Sequence, residues 1–189
     1  VLGFAASRAA DDGKLDEAIR LQRRAVEVEP LVGAARYNLA TMLYAAGDLE
    51  AAETELRRLL EISPATPGAG GLLALVLVRQ GRHDDALALI ADDPYGIEGL
   101  QVRALVHFAS GRTAEADAAL RGLAEACSQD ERYRVAEVYA YRGDLEQAFA
   151  WLESGPSGES RNPAWYKSRS PFLEPLHADP RWQAWLDAS

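Results

Sequence analysis

The sequence predicts an all-α protein, specifically an α-solenoid in which pairs of antiparallel helices repeat along the chain. Three observations predict it. A glycine followed five residues later by an alanine recurs along the sequence, the glycines are spaced 34, 34, 30 and 32 residues apart, and the apolar residues between them follow helical spacing. A fixed period near 34 residues is typical of a repeat array. The five glycines are Gly13, Gly47, Gly81, Gly111 and Gly143.

One repeat shows why these residue types form a helical hairpin. Gly47 ends the first helix, where a residue without a Cβ adopts the left-handed backbone easily. Asp48 follows as a side-chain cap for the second helix, and Glu50 lies in its first turn, where the helix dipole favours negative charge. Ala52 is small enough for the two helices to approach closely, and Pro64 stops the second helix.

Apolar stripes run down the predicted second helices. Because their members recur at intervals of three and four residues, they share one face of each helix, as a packed helix requires. The third repeat departs from the others, with an apolar first helix over 72–78 and a second helix shortened to about 83–91. The stripes of the first two repeats are Leu15, Ala18, Ile19, Ala25 and Val28, and Leu49, Ala52, Leu56, Leu59 and Leu60.

The motif residues resemble the tetratricopeptide repeat family. The run from Gly13 to Ile19 that closes at Pro30 is close to the family consensus, and so is Tyr37–Ala40 ahead of Gly47. The resemblance covers about residues 1–154 and implies a right-handed superhelix of about five helix hairpins with a C-terminal helical cap. The expected repeats lie near 1–32, 33–65, 66–95, 96–127 and 128–154, followed by a loop and capping helices over 155–189.

The C-terminal segment is predicted to close the array. Pro180 suits the first turn of a last helix capped by Asp179, and Trp182, Trp185 and Leu186 form one apolar stripe. The segment also resembles the closing segment of many bacterial tetratricopeptide proteins, in which the repeats often follow a DNA-binding, cyclase or kinase domain. The chain is therefore expected to be the C-terminal part of a larger bacterial protein.

Composition argues against several classes of partner and site. A net charge of −9 disfavours direct binding to nucleic acid and to an anionic membrane surface. The single cysteine, Cys127, is expected to be at least half-buried, and the absence of a disulfide framework is typical of the cytoplasm. No metal, cofactor or catalytic constellation is expected, so the chain is predicted not to be an enzyme. His107 is expected to be a packed, hydrogen-bonded imidazole.

The resemblance implies a partner site on the concave face, which the first helix of each repeat lines. An aromatic and aliphatic groove suits an extended peptide or an amphipathic helix, so the predicted function is protein–protein interaction as a scaffold or adaptor. Transferring the register from the glycines gives the candidate groove residues Tyr37, Thr41, Tyr44, Leu75, Val78, Arg79, Gln101, Leu105, Phe108, Tyr133, Glu137 and Tyr141.

Other interpretations of the same residues stay open. The tyrosines can pack within the array, or the C-terminal segment can fold back into the groove. A regulatory or dimerisation domain of a larger bacterial transcription regulator, cyclase or kinase, with a homodimer as its partner, is the alternative function. The family's clamp for a C-terminal carboxylate is not expected. Asn38 matches one of its positions, but Gly3, Ser7, Gly71 and Leu75 stand where basic or amide groups are needed.

Overall fold

The computed structural model describes residues 2–91, 96–128, 131–154 and 169–188, and within these ranges it contains helices and turns but no strand. The chain divides into two compact units, Val1–Tyr95 (unit 1) and Gly96–Ser189 (unit 2). In unit 1 the helices are α1 Leu2–Asp11, α2 Leu15–Val28, α3 Gly33–Ala46, α4 Leu49–Ile62, α5 Ala69–Arg79 and α6 His83–Leu89. In unit 2 they are α7 Gly96–Ala109, α8 Thr113–Ala126, α9 Arg132–Tyr141, α10 Leu145–Glu153, a 3₁₀ turn Glu174–Leu176 and α11 Pro180–Ala188.

Unit 1 is a stack of three helix hairpins. Helices α1 and α2, α3 and α4, and α5 and α6 pack as pairs, while α2 contacts α3 and both α3 and α4 contact α5. Each hairpin therefore buries its apolar face against its own partner helix and against the next hairpin, which is how a solenoid builds a continuous core. The all-helical solenoid class predicted from the repeat is confirmed.

The turn between the paired helices has the predicted chemistry. Gly47 has a φ of 83°, and its N–H donates to the Tyr44 carbonyl at 3.1 Å while the Asp48 N–H donates to the Leu43 carbonyl at 3.0 Å. The Asp48 carboxylate then accepts from the Ala51 N–H at 3.3 Å, and Asp144 accepts from Gln147 in the same way at 3.2 Å. The predicted glycine cap and aspartate cap are both confirmed.

The alanines of the repeat are buried within the hairpins. All five are at most 1% exposed. Any larger side chain at these positions meets a packed neighbour, because protein interiors leave few voids larger than a water molecule. The alanines are buried in every repeat, namely at Ala18, Ala52, Ala86, Ala116 and Ala148, and the close approach of the helices there stays a prediction.

The third hairpin differs from the first two. Helix α5 is buried on all sides from Ala69 to Val78, as expected for its apolar run, and it includes Gly70 and Gly71. Its partner α6 covers only His83–Leu89 and ends before the expected Ala91. Helix α5 also packs against α3 and α4, as the first helix of a hairpin does against the preceding hairpin.

Unit 2 contains two hairpins and the C-terminal segment. Helices α7 and α8 pair, α9 and α10 pair, and α9 contacts both α7 and α8. The loop expected after residue 154, with Trp165, falls largely on residues 155–168, which lie outside the described ranges. From Arg169 onward the 3₁₀ turn packs on α9, and α11 packs on α10.

Helix α11 has the predicted cap and the predicted apolar stripe. The Asp179 carboxylate accepts from the Arg181 N–H at 2.9 Å, and Trp182 is 6% exposed. The Trp182 ring stacks on His177 at 4.6 Å and lies 5.0 Å from the Trp185 ring. Arg181 covers the Phe149 ring of α10 at 4.2 Å, so cationic and aromatic groups together hold α11 on the last hairpin.

Crossing a bilayer requires a helix that is both long and apolar. Among the helices of the described ranges, none combines the two properties to the extent that a membrane span needs.

Candidate protein-interaction surfaces

The predicted groove residues of unit 1 lie on α3 and α5 and differ in burial. Tyr44, Leu75 and Val78 are at most 5% exposed, whereas Tyr37, Thr41 and Arg79 are half-buried. The register transfer therefore places some of its candidates within reach of a partner and others inside the packed unit.

Contacts within unit 1 explain the burial of its two candidate tyrosines. The Arg79 guanidinium lies over the Tyr44 ring, 5.6 Å from its centroid. The Tyr37 ring lies against the loop before α5, where a Cβ added at Gly68 would come 2.9 Å from the Tyr37 hydroxyl oxygen. Gly68 also has a φ of 77°, so both its backbone and its lack of a side chain make room for Tyr37. These tyrosines pack within the array.

An accessible surface remains on the first helices of the first two hairpins. Phe4 is 72% exposed, and it precedes Gly13 by the same number of residues as Asn38, also exposed, precedes Gly47. Ser7 and Thr41 are likewise equivalent, and each hydroxyl donates to the carbonyl four residues earlier, at 3.2 and 2.9 Å. Because these hydroxyl protons are used inside the helix, the oxygens face outward as acceptors.

The predicted groove residues of unit 2 lie on α7 and α9 and are mostly buried. Gln101 and Leu105 are fully buried, and Tyr133 and Glu137 are 5% and 3% exposed. Phe108 is half-buried, and Tyr141 is 37% exposed. The same register positions that stay accessible in the first two hairpins of unit 1 are therefore covered in unit 2.

A buried polar network joins α7, α9 and the C-terminal segment. The Glu137 carboxylate accepts from the Gln101 side-chain amide through one oxygen and from the Ser170 hydroxyl through the other. Arg134 donates to the Gln101 amide oxygen at 3.0 Å and to Glu98 at 2.7 Å. Each oxygen of the Glu137 carboxylate therefore has one donor, and the Arg134 guanidinium bonds to Gln101 and Glu98 beside it.

Burial controls the protonation of this network. Desolvation raises the pKa of Glu137 above its ordinary value of 4.5, although hydrogen bonds from Ser170 and Gln101 and the charge of Arg134 act in the opposite direction. Ser170 is itself only 2% exposed. The donors from Gln101 and Ser170 therefore offset part of the cost of burying the Glu137 carboxylate.

A row of aromatic rings extends the contact between α9 and the C-terminal segment. The Tyr141 ring meets the Phe108 ring edge-on at 6.0 Å and the Phe172 ring edge-on at 5.7 Å. Phe172 and Leu173 are buried, and so is Leu176 in the 3₁₀ turn. In unit 2 the C-terminal segment thus lies on the predicted groove residues, as one of the interpretations left open by the sequence anticipates.

The other side chains that could bind a metal or react chemically do not cluster within the described ranges. Among the described residues no group of three or more His, Cys, Asp or Glu side chains is placed to hold a metal. Cys127 is half-buried as expected, and burial raises the pKa of its thiol. His107 is half-buried, and its buried Nδ1 has no hydrogen-bond partner within the described ranges, so the expectation of a hydrogen bond is wrong for this nitrogen.

Comparisons with known proteins agree on one family. Three models, each described as tetratricopeptide repeat, match residues 5–70, 45–105 and 102–122, and so together cover the chain from residue 5 to residue 122. No curated protein matches the sequence. Repeats of this family generally act as non-enzymatic scaffolds for protein–protein interaction.

Solved structures share the fold at low sequence identity. A thermophilic tetratricopeptide repeat protein of Thermus thermophilus has a TM-score of 0.65 and 21% identity, with 98% of this chain and 95% of that chain covered. MamA of Desulfovibrio magneticus RS-1 has a TM-score of 0.58 and 16% identity, covering 80% and 89%. YrrB, described as a tetratricopeptide protein with an unusual peptide-binding site, has a TM-score of 0.53 and 18% identity, covering 80% and 81%. With its repeats, its hairpins and the matching models in agreement, the chain belongs to the tetratricopeptide repeat family.

Proposed function

We propose that the chain is a non-enzymatic adaptor that binds an extended peptide of a protein partner on the first two hairpins of unit 1. The site is the face of α1 and α3 that carries Phe4, Ser7, Asn38 and Thr41, which we call the inner face of unit 1. The observation that carries the proposal is the exposure of equivalent positions on α1 and α3. Phe4, Ser7 and Asn38 are exposed and Thr41 is half-exposed, whereas the position equivalent to Thr41 is buried in each of the three later hairpins. Those buried equivalents are Leu75, Leu105 and Glu137.

The chemistry of this face favours a particular partner. Phe4 offers an aromatic anchor, Ser7 and Thr41 offer hydroxyl acceptors, and the Asn38 amide can both donate to and accept from a peptide backbone. The net charge of −9 favours a peptide with lysine or arginine at the rim, because complementary charge speeds encounter and fixes orientation. The groove candidates Tyr44, Leu75 and Val78 are at most 5% exposed, so a partner on this face does not reach them. The lone Cys127 fits a cytoplasmic location.

Selection from a phage-displayed library of random peptides tests the proposal on the full chain. Peptides enriched on the wild-type chain should carry basic residues and should bind the Phe4→Ala variant at least about tenfold more weakly, because the aromatic anchor is lost without a change of charge. Leu31→Ala is a matched control, because Leu31 is 76% exposed but lies in the α2–α3 loop rather than on α1 or α3. Peptides that bind Phe4→Ala as tightly as wild type, or a selection that enriches nothing, would exclude the site.

A further inference from the structure

The C-terminal segment of unit 2 docks as a bound peptide does, through a few discrete side chains. Ser170 inserts a hydroxyl donor into the buried Glu137 site, and Phe172 packs on Tyr141. Leu173 and Leu176 follow in the sequence and are both fully buried. The segment thus presents a polar, an aromatic and two aliphatic side chains in succession. A peptide bound in a groove is typically held by a few such side chains.

The receiving surface is built to accept a hydroxyl group. Gln101 and Glu137 are both almost completely buried, and Gln101 supplies a donor to only one carboxylate oxygen. The second oxygen accepts the donor that the Ser170 hydroxyl brings. A ligand without that donor leaves a buried carboxylate oxygen unsatisfied, and unsatisfied buried groups select strongly against such ligands.

We propose that the inner face of unit 2, which carries Gln101, Glu137 and Tyr141, is a second peptide site. The chain's own residues 170–176 occupy it and can be exchanged for a peptide of a partner protein. That peptide has a hydroxyl residue two positions before an aromatic residue, and aliphatic residues after the aromatic one. The proposal deepens the proposed function, because it adds a site of defined specificity to the one on unit 1. Since a tethered segment acts at an effective concentration in the millimolar range, the intramolecular occupant excludes weak competitors.

A labelled synthetic peptide with the sequence of residues 169–177 is the probe, and fluorescence anisotropy against the full chain is the measurement. The Phe172→Ala chain should bind the probe at least about tenfold more tightly than the wild-type chain, because its own segment competes less well. A probe with alanine in place of Ser170 or Phe172 should lose the same binding. The Phe4→Ala chain carries the same truncation on unit 1 and should behave as wild type.

Three results would overturn the proposal. The first is a Phe172→Ala chain that keeps its helical circular dichroism but binds no probe. The second is a Phe172→Ala chain that loses its helices, since the segment is then part of the core. The third is a wild-type chain that dimerises with concentration through the segment, which would assign the site to a second copy of the chain. The Phe4→Ala chain, which tests the unit 1 site, should bind this probe as the wild-type chain does, so the failure of one proposal is distinguishable from the failure of the other.

Discussion

The first two hairpins of unit 1 and the two hairpins of unit 2 have the same turn chemistry but different inner faces. In unit 1 the equivalent positions Ser7 and Thr41 are accessible and satisfy their hydroxyl protons within their own helices. In unit 2 the equivalent positions Leu105 and Glu137 are buried, and Glu137 takes a donor from a segment 33 residues away. The repeat determines where a position of the inner face lies, whereas the side chain at that position determines whether another segment must cover that position.

Truncating Trp182 has the largest expected effect and separates the two regions. Trp182 is 6% exposed between His177 and Trp185, so Trp182→Ala should lower the free energy of unfolding by about 3–5 kcal/mol through lost burial and an unfilled cavity. Hydrogen exchange should accelerate on α10 and α11 and stay unchanged on α1 and α2. An unaltered melting temperature would contradict the capping role of α11.

The protonation of Glu137 gives an intermediate effect confined to unit 2. Because its pKa is raised in the folded protein, Glu137 contributes stability fully below about pH 4.5, and that stability is lost as pH rises through its folded pKa. The difference in free energy of unfolding between wild type and Glu137→Gln should therefore shrink as pH rises from 4.5 to 8. Denaturant unfolding at several pH values measures it.

The difference between the two chains is the proper measure because other groups in unit 2 titrate in the opposite sense. Burial lowers the pKa of His107, and hydrogen bonds from Arg181 lower those of Glu146 and Asp179, so these groups make the unit less stable as pH falls. They are common to wild type and Glu137→Gln and cancel. A difference that does not vary with pH would contradict the assigned role of burial at Glu137.

Local features of the fold could be predicted from the sequence, whereas the covering of the inner face in unit 2 is only one of several interpretations that the sequence leaves open. Gly47, Asp48 and Ala52 act on neighbours within one hairpin, so their spacing is enough to assign their roles. The contact between Ser170 and Glu137 joins residues far apart in the sequence, and neither residue type signals it. Register assigns Thr41 and Glu137 equivalent places on their helices but carries no information about what packs over them.

Phe4 is a surface residue that sequence reasoning missed, although a signal for it exists. The candidate groove residues begin with the second repeat, so the first helix contributes none. Counting back from Gly13 places Phe4 at the position of Asn38, and this signal is present in the sequence. Binding at the unit 2 candidates and at the unit 1 site stays a prediction.

The smallest effect is expected in unit 1 at Glu53, which titrates in the opposite direction from Glu137. Burial opposes ionisation of Glu53, but hydrogen bonds from Arg57, Gln80 and Arg82 lower its pKa below 4.5. Its stabilisation is therefore present above pH 4.5 and lost as pH falls through its folded pKa.

Because Arg57 and Arg82 are about half exposed, at 52% and 42%, we expect Glu53→Gln to cost about 1 kcal/mol or less at pH 7. The cost should disappear near pH 3 in the same denaturant experiment. Arg24→Gln, which removes the exposed pair with Glu27 in α2, is the matched control and should change stability little. A Glu53→Gln chain whose deficit persists at pH 3 would show that lost packing, rather than the ion pairs, makes Glu53 important, and the contrast in titration between the two units would then rest on Glu137 alone.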